Sequence, residues 1–123
     1  MINKISTEKC KSSIKALEDA MYVIGGKWTL RVIIAIKDGH TRFNDLQRTI
    51  DGISAKVLSG VLKDLEQNGF VKRKVDIGVP VVVEYELLPY AESLQDVLNA
   101  LVSWGEAHRN KLIKVQEMSI AQP

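Results

Sequence analysis

The chain has 123 residues, a length typical of one folded domain, with 46% hydrophobic and 26% charged residues. No apolar run approaches the roughly 20 residues of a membrane-spanning helix, and the polar N-terminus does not resemble a signal peptide, so we expect a cytoplasmic protein without a membrane partner. The net charge is +2, and the single cysteine excludes an internal disulfide bond.

The charge is unevenly distributed along the chain. Residues 37–75 contain eight lysines and arginines against five acidic residues, whereas residues 76–108 contain six acidic residues and no lysine or arginine. Because a polyanion is attracted to the more basic segment, a nucleic-acid partner would contact the middle of the chain.

The first third of the chain predicts a tail and two helices. Residues 1–11 are polar, and we expect a flexible tail there. Residues 12–24 carry apolar side chains at helical spacing and predict a first helix. Residues 28–36 are apolar on nearly all sides, which predicts a central buried helix. Glycines follow both segments and mark the ends of the two helices.

Two further helices lie close together in the next segment. A short helix beginning at Arg42 follows Thr41, which fits its N-cap. The second helix has one apolar face and one short or basic face, with Ser54 at its N-cap and Gly69 just past its C-terminus. Two short helices joined by a tight turn, the second with a basic outer face, indicate a helix-turn-helix over about residues 42–68.

After Gly69 the periodicity changes to that of strands. Two β-prone runs flank a loop that contains Gly78 and Pro80, and together they predict a β-hairpin over about residues 70–87. A hairpin directly after the second helix of a helix-turn-helix is a wing. Lys72, Arg73 and Lys74 give this wing charge directed at phosphates.

The last part of the chain predicts one long helix from about Tyr90 to Val115, with residues 118–123 as a tail and residues 12–117 as the domain. At 1.5 Å per residue such a helix spans roughly 39 Å, which is too long to bury its apolar stripe on its own chain. We therefore expect a two-fold homodimer in which the N- and C-terminal helices form the interface; a partly exposed end beyond Arg109 is the alternative. The predicted interface residues are Leu17, Met21, Leu94, Leu98, Leu101, Trp104, His108 and Leu112.

Five strings of the sequence, in this order, are similar to one known family. They are Gly25–Trp28, Arg42–Leu46, Ile53–Leu58, Leu65–Arg73 and Val83–Leu87. Within residues 10–110 the chain resembles the HxlR-type winged helix-turn-helix regulators, which are related to the MarR group. The resemblance implies a mainly α-helical fold with a hairpin wing, and a homodimeric DNA-binding regulator of transcription with no enzymatic activity and no cofactor.

The outward polar side chains of this fold are expected to contact double-stranded DNA at a pseudo-palindromic operator. We assign Lys56 and Ser59 to base edges, and we assign Lys63, Arg42 and the wing lysines to phosphates. The predicted DNA-binding set is Arg42, Asn44, Ser54, Lys56, Ser59, Lys63, Lys72 and Lys74. A solvated surface without a ligand is the alternative for these residues, and a winged-helix protein-interaction module is the alternative function.

Cys10 and the two tryptophans each leave two interpretations open. In members of the family a cysteine near the N-terminus senses electrophiles or oxidants, and Cys10 lies in that region between two lysines that favour the thiolate; an inert thiol is the alternative. Trp28 and Trp104 are assigned to packing, with the lining of a pocket for an unidentified small-molecule effector as the alternative.

The sequence predicts neither a metal site nor an active site. Two distant histidines and one cysteine do not supply the three or four ligands of a zinc site. No glycine-rich phosphate loop and no nucleophile–base arrangement is recognisable, so we expect a protein that is not an enzyme.

Overall fold

The structure is a computed structural model that describes the backbone of residues 7–121 and the side chains of residues 7–119. The chain divides into two compact units, one ending at Leu88 and the other beginning at Pro89. The first unit contains α1 (Thr7–Ile24), α2 (Thr29–Lys37), α3 (Phe43–Thr49), α4 (Ala55–Gln67), β1 (Val71–Asp76) and β2 (Val82–Leu87). The second contains a 3-10 helix (Pro89–Leu94) and α5 (Gln95–Ala121). The predicted fold class, helices with one antiparallel hairpin, is confirmed.

Helix α2 is the centre of the first unit, as its apolar sequence predicted. It packs against α3, α4 and β2, and Val32 and Ile33 on it are at most 1% exposed. The largest fully buried side chains of the core come from α2 and from the elements that surround it: Ile33, Leu46, Leu58, Leu62, Leu65, Val32 and Val71. The helix-turn-helix and the first strand of the wing therefore share one core, which fixes their outer faces relative to each other.

The N-terminus of α4 is capped by the predicted serine. The Ser54 side-chain oxygen accepts a hydrogen bond from the Val57 backbone N–H at 3.1 Å. Ile53 and Leu58 occupy the two positions of a hydrophobic staple, and both are buried. The cap and the staple fix the direction in which the turn leads into α4.

The C-terminus of α4 ends in a Schellman motif. Gly69 has φ +80°, a conformation that carries no Cβ penalty for glycine. Its N–H donates to the Glu66 carbonyl at 3.1 Å, and the Phe70 N–H donates to the Leu65 carbonyl at 3.0 Å. Strand β1 begins one residue later, so this motif sets where the wing leaves the helix.

The predicted cap of α3 is wrong. The N-cap is Arg42, whose backbone is extended and whose side chain makes no capping bond, and not Thr41. The reason is that this stretch pairs with the wing: the Tyr85 N–H donates to the Thr41 carbonyl at 2.8 Å, and Arg42 forms an isolated antiparallel bridge with Glu84. Residues 41–42 thus act as a short third strand beside β2.

Two predicted boundaries differ in the terminal helices. Residues 7–11, expected to belong to a tail, form the start of α1. They lack an apolar stripe, but Glu8, Lys9 and Lys11 have good helix propensity, and Glu8 suits a first turn. Residues 1–6 and 122–123 lie outside the described residues. The predicted long helix is a 3-10 segment followed by α5, which continues to Ala121. No helix within the described part of the chain is long and apolar enough to span a membrane.

Candidate nucleic-acid interface

The outer face of α4 carries the residues assigned to base edges. Lys56, Ser59 and Lys63 are exposed. Leu58, Leu62 and Leu65, on the inner face, are at most 1% exposed. Among the described side chains, no carboxylate pairs with either lysine. The helix therefore presents short polar and unpaired basic side chains outward, while its inner face is fixed in the core.

Two of the predicted phosphate contacts are partly neutralised. Arg42 Nε lies 3.5 Å from Glu84 Oε1, and Lys74 Nζ lies 3.1 Å from Glu86 Oε2. The side chains of both pairs are about half exposed or more, so solvent weakens the attraction and a phosphate could displace the carboxylates. Strand β2, which belongs to the acidic segment of residues 76–108, pairs with β1 of the basic segment.

The register of the hairpin explains this pairing. Lys72 lies opposite Glu86 and Lys74 lies opposite Glu84, so these four charged residues share one face of the wing. On the other face Arg73 lies opposite the buried Tyr85, and Arg73 is exposed without an acidic partner among the described side chains. Arg73, which the sequence analysis gave a phosphate-directed charge, was left out of the predicted DNA-binding set. The alternation of acidic and apolar residues along β2 was the signal that could have shown that it lies away from the acidic face.

The tip of the wing carries no basic side chain. Residues 75–83 contain no lysine or arginine, while Ile77, Val79 and Val81 are 63% exposed or more. The one acid of the tip, Asp76, accepts a hydrogen bond from the Gly78 N–H at 3.1 Å. The wing can therefore attract phosphates through its strands but not through its tip.

A polar cluster holds the start of α3 to the preceding turn. His40 Nδ1 lies 2.7 Å from Asp45 Oδ2 and 3.3 Å from Thr49 Oγ1, and Arg48 Nη2 lies 3.5 Å from Asp45 Oδ1. The hydrogen bond with His40, assisted by the charges of His40 and Arg48, lowers the pKa of the Asp45 carboxyl below its ordinary value of 3.8. Asn44, the neighbour of Asp45 in the first turn of α3, is exposed.

Helix α1 has no buried residue. Its apolar side chains Leu17 and Met21, both predicted interface residues, are 60% and 54% exposed. An apolar stripe left open on a helix is a surface that a partner can cover. Cys10 lies exposed on the same helix.

The second unit exposes most of its predicted interface residues. Leu101, Trp104 and Leu112 are half exposed or more, and the His108 ring stacks on the Trp104 ring at 4.9 Å between centroids. Leu98 is buried in the single chain, and Leu94 is half-buried. Leu98 is therefore not part of the open apolar surface of α5.

The described part of the chain offers no group of three histidine, cysteine or acidic side chains that could hold a metal ion. The ion pairs described above involve the helix-turn-helix, the turn that precedes it and the wing. The chemistry of the site is therefore that of exposed cations, hydroxyls and amides, with two carboxylates on the wing, and its cations and amides suit binding to a polyanion.

Comparison with known proteins identifies relatives over most of the chain. The HTH-type transcriptional regulator YtcD of Bacillus subtilis is 38% identical over 105 residues, which span 85% of this chain and 82% of YtcD. The YtcD crystal structure has a TM-score of 0.73 with this chain, covering 76% of this chain and 96% of the chain in that crystal structure. These values make the two chains similar in both sequence and fold.

Two other solved structures are also similar. A transcriptional regulator of the MarR family from Enterococcus faecalis has a TM-score of 0.70 and 34% identity, covering 92% of this chain and 99% of its own. The reduced form of the regulator YodB from Bacillus subtilis has a TM-score of 0.66 and 36% identity, covering 74% and 89%. YodB has also been solved in diamide-treated and quinone-bound forms.

The model of one family matches residues 23–112, a range that contains α2, both helices of the helix-turn-helix and the wing. The relatives are transcriptional regulators and not enzymes, as the sequence analysis expected. The chain belongs to the HxlR-like helix-turn-helix family of transcriptional regulators.

Proposed function

We propose that this regulator binds operator DNA in a sequence-specific manner through the outer face of α4. The observation that supports this most strongly is the exposure of Lys56, Ser59 and Lys63 without acidic partners, on a helix whose other face is buried. A helix of this width fits the major groove, where lysine and serine can hydrogen-bond to base edges. Lys56 and Ser59, near the N-terminal half of α4, are the base-reading residues, and Lys63 contacts a phosphate.

The remaining cations of this surface, together with the amide of Asn44, contact the DNA backbone. Arg42 and Asn44 lie at the start of α3, and Lys72, Arg73 and Lys74 lie on β1, which begins directly after α4. Backbone contacts of this kind fix the register of the protein on the duplex and make the affinity depend on salt. The Ser54 hydroxyl, whose oxygen accepts from Val57, still has its own hydrogen to donate to a phosphate.

The DNA-binding form is a homodimer on a pseudo-palindromic operator. The open apolar side chains of α1, and separately those of α5, support this, because each helix presents a surface that a second copy can cover. A two-fold dimer places its two recognition helices about 34 Å apart, one turn of the duplex. Leu101→Glu should produce monomers in light scattering, whereas a dimer that survives both Leu101→Glu and Met21→Glu would refute an interface built from these helices.

The experiment that tests the function is the selection of genomic fragments by the purified protein, followed by alignment of the fragments that bind. We expect a motif with two-fold symmetry. The alternative function, a protein-interaction module, is favoured by one observation, the apolar and exposed tip of the wing. Failure to bind any fragment at about 50 mM salt, where backbone contacts are strongest, would favour that module over a DNA-binding protein.

The signal is an oxidant or electrophile that reacts with Cys10. Support comes from the exposure of this thiol on α1 and from the similarity to YodB, which has been solved in diamide-treated and quinone-bound forms. Because the chain has no other cysteine, a disulfide would join Cys10 to the partner copy or to a small thiol. Diamide should change the DNA affinity of the wild type but not of Cys10→Ser. An equal response of both proteins would exclude Cys10 and leave a small-molecule effector as the signal.

A further inference from the structure

Two cations meet one aromatic ring just before and within the first turn of α2. Lys27 Nζ lies 4.8 Å, and Arg31 Cζ lies 5.1 Å, from the centroid of the Trp28 ring. Both cationic side chains are exposed, while Trp28 is half-buried. The ion pairs among the described side chains involve other residues, so no carboxylate neutralises Lys27 or Arg31. The charge of this cation cluster, Lys27 and Arg31 on Trp28, is therefore available to a ligand.

The cation cluster lies beside the turn of the helix-turn-helix. A Cβ placed on Gly52 would lie 3.8 Å from Trp28 Cη2, so the ring contacts the turn that joins α3 to α4. Gly52 stands two residues before Ser54, the cap of α4, and has φ +81°. The ring that carries the two cations thus contacts the turn that leads into α4.

The cation–π contacts are too weak to be the reason why two cationic side chains lie on this ring. Cation–π contacts at exposed sites are weak, and the ring would be packed against the turn without them. What the ring does provide is order: it holds two long side chains that are otherwise free to rotate, which lowers the entropy lost when they bind an anion. Asp51, the acid of the same turn, is exposed and forms an ion pair with neither cation.

We propose that Lys27 and Arg31 bind DNA phosphates at the edge of the major groove, next to the place where α4 enters it. This inference rests on the proposed function, since it assigns further contacts to the same DNA. A duplex that receives the N-terminal half of α4 has its backbone beside the turn at Gly52, and two pre-ordered cations stand there. Their role is sequence-independent: they position the protein on the backbone and do not read bases.

The test is the salt dependence of binding by Lys27→Gln, Arg31→Gln and the double variant, with a duplex of about 30 base pairs recovered from the genomic selection and a shuffled duplex of the same composition. Each lost phosphate contact should reduce the slope of log K against log salt by about 0.9 and weaken binding about eightfold at about 0.1 M salt, equally on both duplexes. Lys15→Gln, which removes one charge from an exposed site of α1 outside the proposed contacts, is the matched control, and its slope should not change. Thermal unfolding of every variant identifies any loss of structure.

The possible results separate this inference from the proposed function. Wild-type protein that binds neither duplex refutes the proposed function itself. Wild-type binding with an unchanged slope in the folded double variant refutes the assignment of Lys27 and Arg31 to phosphates. An equal decrease in the Lys15→Gln control also refutes it, because the effect would then be one of net charge and not of the cluster.

Discussion

Arg42 and Glu84 join the helix-turn-helix to the wing through two contacts, one between their backbones and one between their side chains. Their backbones form an isolated antiparallel bridge, and Arg42 Nε lies 3.5 Å from Glu84 Oε1. The neighbouring Tyr85 N–H donates to the Thr41 carbonyl at 2.8 Å. The backbone pairing fixes the wing to the start of α3, whereas the side-chain pair places a carboxylate beside the cation that we propose contacts a phosphate. The same pair therefore supports the shape of the proposed DNA-binding surface and opposes its charge.

Removal of this carboxylate should strengthen DNA binding. Glu84→Gln leaves the backbone bridge in place and frees Arg42 for a phosphate, so we expect about three- to tenfold tighter binding at about 0.1 M salt, on any sequence. Fluorescence anisotropy across a salt series measures the effect. Glu92→Gln, the same charge change at an exposed site of the 3-10 helix, serves as the control. Unaltered affinity of Glu84→Gln would mean that Arg42 does not contact DNA.

Ser54 allows the stability of α4 to be separated from its contact with DNA. Ser54→Ala removes the hydrogen bond to the Val57 N–H and should lower the free energy of unfolding by about 1 kcal/mol. Ser54→Asp keeps a good cap but adds a negative charge at the DNA surface, so it should remain as stable as the wild type and lose about tenfold or more in affinity. Urea unfolding and anisotropy give the two quantities. Retention of full affinity by Ser54→Asp would show that the start of α4 does not approach the backbone.

Two lysines should differ in what they contribute. Lys56→Ala should cost about 1–3 kcal/mol on the selected operator and little on shuffled DNA, because a base contact carries sequence information. Lys72→Ala should weaken both duplexes alike and reduce the salt slope by about 1. Lys72 is a cleaner choice than Lys74, whose ammonium group lies 3.1 Å from Glu86 Oε2. Equal losses on both duplexes for Lys56→Ala would remove this residue from base readout.

The lowered pKa of Asp45 predicts that the stability of the fold depends on pH. Its pKa is lowered in the folded chain by the hydrogen bond with His40, so the ionised form stabilises the fold. This contribution is complete well above the ordinary value of 3.8 and is lost as the pH falls through the lower folded pKa. Asp45→Asn should therefore be less stable than the wild type at neutral pH, with a difference that shrinks in acid. Urea unfolding from about pH 7 to about pH 3 checks this against Asp19→Asn, an exposed aspartate on α1.

The parts of the fold that follow from local rules could be predicted from the sequence. The cap at Ser54 and the left-handed Gly69 bound α4 as expected, since both depend on residues within a few positions of each other. The cap of α3 could not be found in this way. Thr41 fits a cap by its side chain, but its carbonyl pairs with Tyr85, which lies more than 40 residues later.

The charge of the candidate site could also be predicted only where it depends on residues close together in the sequence. The basic residues around α4 could be predicted from the sequence, and the structure exposes them. The neutralisation of Lys74 by Glu86 depends on the register of the hairpin, which brings a basic strand beside an acidic one. The cation cluster on Trp28 is local, because Lys27 and Arg31 lie within three residues of the ring, but its position beside the turn at Gly52 depends on a contact between residues far apart in the sequence.

The most direct measurement is a titration of the selected operator and of its shuffled counterpart with the purified protein at about 0.15 M salt, with stoichiometry determined in the same experiment. We predict two chains per duplex and binding to the operator at least about 1,000-fold tighter than to the shuffled duplex. Equal affinity for the two duplexes, or binding by single chains, would contradict sequence-specific recognition by a homodimer.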